Sequence, residues 1–217
     1  MLNFEITIPS IVSIPSIYEI LPHPSTNWAV DLDGNPLDID LYDPNTWKKF
    51  KWAVYNDKVI QDIIHSADSA KIGRKHVKVY QDYFIRHLAA AKNNHLALTQ
   101  PFKNVEYSIV AFGGNCTSTP ARILFEPING ELKARFHPDD IINPRPDINY
   151  RDIMFEPGDG EVTKPSLLAR NHLNPAIPRV AGLYFPIKYG FFLCHPHRDL
   201  AGDINFQDNL LNELLTR

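Results

Sequence analysis

Residues 156–170 read EPGDGEVTKPSLLAR and residues 191–211 read FFLCHPHRDLAGDINFQDNLL, and these two stretches decide the fold class. In the first, an acid in a glycine-flanked loop, Asp159, follows a strand-like segment and opens into a short helix at SLLAR. In the second, the apolar run YGFFLC (189–194) gives way to a histidine loop and then to a helix carrying Phe206, Leu210, Leu211 and Leu214 on one face. Asn205 with Asp208 three positions later suits the N-cap of that helix and its acidic third residue. Working outward, VEYSIVAF (105–112) is β-branched and aromatic and stops at Gly113-Gly114, which predicts a buried strand. ARILFEP (121–127) and ELKARF (131–136) flank Asn129-Gly130, the dipeptide of a two-residue hairpin turn. Val77, Tyr80, Phe84, Leu88 and Ala91 recur at helical spacing in a proline-free stretch and predict a helix over residues 75–93. The order helix, strand, acid loop, strand, histidine loop, helix is an α/β pattern.

The first 46 residues differ. Pro9, Pro15, Pro22, Pro24, Pro36 and Pro44, with the acids Asp31, Asp33, Asp38, Asp40 and Asp43, limit regular structure there to short pieces and suggest an excursion from the core.

Composition bounds the function. With 217 residues, 44% of them hydrophobic and 22% charged, the chain can bury a good-sized core. Its 22 basic and 25 acidic residues give a formal charge of −3, and no Lys/Arg block exceeds two, so nucleic acid is not an expected partner. No apolar stretch reaches the roughly 20 residues of a membrane span, and the N-terminus lacks a basic region ahead of its apolar part, so the chain reads as cytoplasmic. Cys116 and Cys194, 78 positions apart, fit neither a metal knuckle nor a dense disulfide framework and read as buried free thiols.

Asp159 and His197 form the strongest chemical pairing. Both lie just past predicted strands, where open parallel sheets place their sites, and consecutive βα units would set the carboxylate beside the imidazole. A carboxylate so placed fixes the ring tautomer and stabilises the imidazolium of a general base. His195, two positions earlier, competes for the same role. Other patterns carry less. His195-Pro196-His197-Arg198-Asp199 imitates an H-x-H-x-D metal motif, but Leu200 follows and no downstream ligand completes it, so no metal site is expected. Asp31-Leu32-Asp33-Gly34-Asn35 imitates a D-x-D-G phosphatase loop but lacks an apolar strand before it, and a solvated turn is expected. Nothing calls for a cofactor.

The segments IPSIYEILP (14–22), DPNTW (43–47), FGGNCTSTPARILFEP (112–127), EPGDGEVTKPSLLAR and FFLCHPHRDLAGDINFQDNLL resemble the C-terminal part of the lecithin:cholesterol acyltransferase-like α/β-hydrolases, a lipase and acyltransferase family. The resemblance runs from about Pro15 to the end of the chain. It implies that Gly158, Asp159 and Val162 match the acid loop, that Asp159 is the orienting acid and that His197 is the base. It also implies the C-terminal half of a hydrolase sheet at 71–217, with a cap or lid at 1–70 to which Trp28, Trp47 and Trp52 would contribute apolar cover. One family element is missing. The nucleophile of such enzymes sits on a G-x-S-x-G elbow, and no two of the ten glycines here are four apart. Ser13, Ser16, Ser25, Ser118 and Ser166 occupy no strand-to-helix elbow that could replace it. The resemblance therefore implies the acid/base portion of a Ser-His-Asp lipid esterase or O-acyltransferase that would act on a lipid or ester substrate when a separate N-terminal half supplies the nucleophile. The other reading is a truncated, non-catalytic remnant or interaction module.

Overall fold

Gly73 lets two consecutive helices approach closely: a Cβ there would lie 2.6 Å from the Cα of Ile64, so only glycine allows the backbones this near. The computed structural model describes residues 8–98, 107–168 and 187–216. They divide into two compact units, one of residues 8–24 and 38–98, the other of 25–37, 107–168 and 187–216.

The first unit is helical. Short helices α1 (Ile8–Val12), α2 (Ser16–Glu19) and α3 (Pro44–Lys49) precede α4 (Asp57–His65) and the 29-residue α5 (Ala70–Leu98). Asp43 caps α3 by accepting from Asn45 N–H, and Asn56 caps α4 by accepting from Lys58 and Val59 N–H. Helix α5 buries Val77, Phe84, Leu88 and Ala91, four of the five residues in the predicted stripe; Tyr80 is half-buried. Phe84 is the hub, with the rings of Tyr18, Trp47 and Tyr55 set edge-on to it at 5.4, 4.9 and 6.1 Å. Such edge-to-face pairs add about 0.5–1.5 kcal/mol each beyond burial. The division suggested by sequence, at residue 70, is where α5 begins, and the contacts group α5 with the helices before it.

The second unit holds three small sheets among the described residues. Strand β1 (Ala29–Val30) runs parallel to β4 (Ile123–Ile128), which pairs antiparallel with β5 (Glu131–Arg135). The β4–β5 turn is the predicted hairpin, with Asn129 at φ 51° and Gly130 at φ 81°, both left-handed as a two-residue turn requires. Strands β2 (Ile109–Gly114) and β7 (Ile187–Leu193) pair in parallel, and β3 (Thr117–Pro120) pairs antiparallel with β6 (Phe155–Gly158). Helices α6 (Tyr150–Met154), α7 (Lys164–Leu167) and α8 (Ile204–Leu215) complete the unit, and Val30, Leu124, Ile141, Tyr150 and Met154 form its core cluster.

Several expectations need correction. Among the described residues the first 46 do contribute to cores: Tyr18, Trp28, Ala29, Val30, Leu41 and Tyr42 are buried. Proline shortens elements there without preventing burial. Trp28 packs edge-on to Phe125 within the second unit, and Trp47 and Trp52 pack edge-on to each other within the first. The strand before the acid loop, β6, belongs with β3 and not in one parallel sheet with β7. Helix α8 is capped by Asp203, which accepts from Asn205 and Phe206 N–H, two residues before the expected cap. Cys116 and Cys194 are not free thiols; they form a disulfide, because the register of β2 on β7 brings their Cα atoms to 5.0 Å. The start of the predicted strand at 105–106 and the end of the SLLAR segment lie outside the described residues.

Candidate acid–base site

The acid loop begins where β6 ends. Gly158 accepts no side chain: a Cβ would sit 2.3 Å from the Val162 carbonyl oxygen and 2.5 Å from Thr119 Oγ1. The chain then turns tightly, with Gly160 at φ 99° and Asp159 N–H donating to Val162 O at 3.2 Å. Thr119, fully buried on β3, accepts from Gly160 N–H at 2.8 Å and fastens the loop from below. Asp159 Oδ1 accepts from Val162 N–H at 2.7 Å and Glu161 N–H at 3.0 Å. This leaves Oδ2 as the oxygen that faces outward from the turn.

His197 meets that oxygen. Its Nδ1 lies 2.9 Å from Asp159 Oδ2, and its backbone N–H donates to Asp159 O, also at 2.9 Å. The two loops are thus held by a side-chain and a main-chain bond at the same pair of residues. Gly114, the last residue of β2, explains how they approach: a Cβ there would lie 2.4 Å from His195 O and 2.5 Å from Asp159 Cβ. The Cys116–Cys194 bond ties the chain just beyond this point to the residue before His195.

The electrostatics suit a general base. Burial works against ionisation of Asp159, which is 4% exposed, but the N–H groups of Val162 and Glu161 and the His197 ring outweigh it and hold the carboxyl below its usual range. The hydrogen bond to Asp159 raises the His197 imidazole above its ordinary value. With Nδ1–H committed to the carboxylate, the neutral ring presents Nε2 as an acceptor. Among the described residues no side chain bonds that nitrogen, and the His197 side chain is 47% exposed.

His195 does not take this role. Its Nε2 lies 2.9 Å from Asp203 Oδ2, so the two histidines serve different carboxylates. Among the described residues no three His, Cys, Asp or Glu side chains converge to hold a metal. Asp31 in the D-x-D-G segment accepts from Asp33 and Asn35 N–H, and Asp33 pairs with Arg145, so that segment is a self-satisfied turn. Ser118 lies on β3 and Ser166 in α7, and neither bonds His197. Three supports of the site escaped sequence reading: Thr119, Gly114 and Asp203. The double glycine closing an apolar strand was the available signal for Gly114, since such a position often marks close backbone approach. Compared with protein-family models, with curated proteins and with solved structures, the chain matches none.

Proposed function

We propose that the chain is the acid/base portion of a serine esterase or O-acyltransferase acting on lipid-like esters, with Asp159 the orienting acid and His197 the general base. The observation that carries the reading is the bond from His197 Nδ1 to Asp159 Oδ2, which leaves Nε2 free. In the reaction, Nε2 takes the proton of a serine hydroxyl as its oxygen attacks the ester carbonyl. The imidazolium then gives that proton to the departing alkoxide, and the same cycle with water or an alcohol releases the acyl group. Asp159 stays ionised throughout, and its role is to hold the tautomer and stabilise the imidazolium.

The serine comes from a partner segment bearing a G-x-S-x-G elbow. The lipid-like substrate class rests on the family resemblance of the acid and histidine segments. The Cys116–Cys194 bond supports an oxidising compartment over the cytoplasm, where thiols are kept reduced. Among the described residues no helix is long and apolar enough to cross a membrane.

The test is complementation. The chain is co-expressed with the reading frame encoded directly upstream, if it carries G-x-S-x-G, and the complex is assayed on p-nitrophenyl esters and with a fluorophosphonate probe. The reading expects turnover that His197→Ala abolishes, with the complex intact. An absent elbow, or an assembled complex that neither labels nor turns over, would leave the non-catalytic remnant as the function.

A further inference from the structure

We propose that the outward face of α5 docks the protein on anionic phospholipid surfaces, with Lys71, Arg74, Lys75 and Lys78 meeting headgroup phosphates and Ile72 and Val79 entering the acyl boundary. The linear sequence hides this patch because no basic block exceeds two residues. The helix assembles it: positions 71, 74, 75 and 78 fall at i, i+3, i+4 and i+7, one side of the cylinder, within a rise of about 11 Å. All four cations are exposed, and none pairs with an acid among the described residues. Residues 70–79 contain no acid, so this stretch carries +4 in a chain of formal charge −3, which leaves −7 on the rest. Asp82, one turn beyond Lys78, marks the end of the stripe.

Two apolar side chains favour a lipid surface over other polyanions. Val79 is 63% and Ile72 38% exposed, and seven residues apart they form a row beside the cations. The buried face of the helix, Gly73, Val77, Phe84 and Leu88, points away from both rows. A nucleic-acid backbone gains little from exposed branched aliphatics at phosphate height. A bilayer does, since an interfacial helix inserts its apolar row while its cations reach headgroups. The proposal does not rest on the acid–base pair.

Vesicle co-sedimentation tests it on the full chain. Binding is expected to phosphatidylcholine vesicles with about 30% phosphatidylserine, to be absent on phosphatidylcholine alone, and to be lost near 0.5 M NaCl, where the Debye length is about 4 Å. At about fivefold in partitioning per cation, Lys71→Gln/Arg74→Gln/Lys75→Gln/Lys78→Gln should weaken binding by several hundred-fold. The exposed control Lys58→Gln/Lys133→Gln/Arg151→Gln/Lys188→Gln, with the same charge change, should leave it within about threefold, under the fivefold expected of one headgroup cation. Ile72→Ser/Val79→Ser should weaken vesicle binding while leaving binding to heparin or single-stranded DNA unchanged. If the quadruple α5 variant does not fold, Lys71→Glu and Lys78→Glu alone should each cut vesicle binding. No binding to anionic vesicles, equal loss in the control, or tighter binding to DNA or heparin than to vesicles with no effect of Ile72→Ser/Val79→Ser would each overturn the proposal.

Discussion

Replacing Gly114 by alanine tests how the acid and histidine loops are held together. The new Cβ would meet His195 O at 2.4 Å and Asp159 Cβ at 2.5 Å, against ordinary contacts that begin at 3.4 Å. Each loop carries one of the obstructing groups, so both must retreat from the new Cβ by about 1 Å, and both groups lie at the backbone, so no side-chain rotation relieves them. Where the loops part by that 1 Å, the two 2.9 Å bonds between Asp159 and His197 stretch to about 3.9 Å, past hydrogen-bonding range. Overpacking of this kind costs about 1–3 kcal/mol, or several degrees in the thermal transition at about 2–4 °C per kcal/mol for a chain of this size. The assay pairs thermal unfolding with an NMR titration of His197, whose pKa should fall toward the ordinary imidazole value as its carboxylate moves away. Gly202→Ala is the matched control, because nothing lies within 4 Å of its Cβ and its change should stay within about 0.5 kcal/mol. The reasoning fails if Gly114→Ala costs no more than Gly202→Ala and leaves the His197 titration unchanged.

Three further outcomes follow from other parts of the molecule. Cys116→Ser/Cys194→Ser should destabilise the chain by up to about 4.5 kcal/mol on the chain-entropy estimate for a 78-residue separation, and the native chain should give no free thiols with Ellman's reagent. Glu126 is fully buried and accepts from Arg135, Asn143 and the Ile142 and Asn143 N–H groups, so Glu126→Leu strands those donors and should cost about 3–5 kcal/mol in urea unfolding. Burial lowers the pKa of His23 and of His95, so below about 6.5 the unfolded chain binds more protons than the folded one. Stability from this pair is therefore full above pH 6.5 and lost as pH falls through the depressed values, and His23→Phe should flatten that acid limb in urea melts at successive pH values.

Local signals with a single physical reading transferred well from sequence to structure. The Asn129-Gly130 turn is legible because few residues accept two successive left-handed conformations, and α5 is legible because its apolar spacing has one period. Asp159 and His197 were legible as residues. Their means of support was not, since it depends on partners distant in sequence: Thr119 under the loop, Gly114 between the loops and Asp203 drawing His195 aside. The disulfide escaped for the same reason, because spacing in sequence says nothing about the β2–β7 register that brings the cysteines together. The basic face of α5 escaped a count of consecutive charges because helical geometry, not adjacency, gathers it.

The central claim is that Asp159 holds His197 as a neutral Nδ1–H base with its other nitrogen free. A ¹⁵N-resolved NMR titration of the histidine rings measures this directly in the wild type and in Asp159→Asn, where Oδ1 can keep the loop N–H bonds while an amide faces the ring. The account predicts an Nδ1–H tautomer and a pKa above about 6.5 in the wild type. Asp159→Asn should lower that pKa and shift the tautomer to Nε2–H. A wild-type His197 in the Nε2–H form, or a titration unmoved by Asp159→Asn, would contradict it.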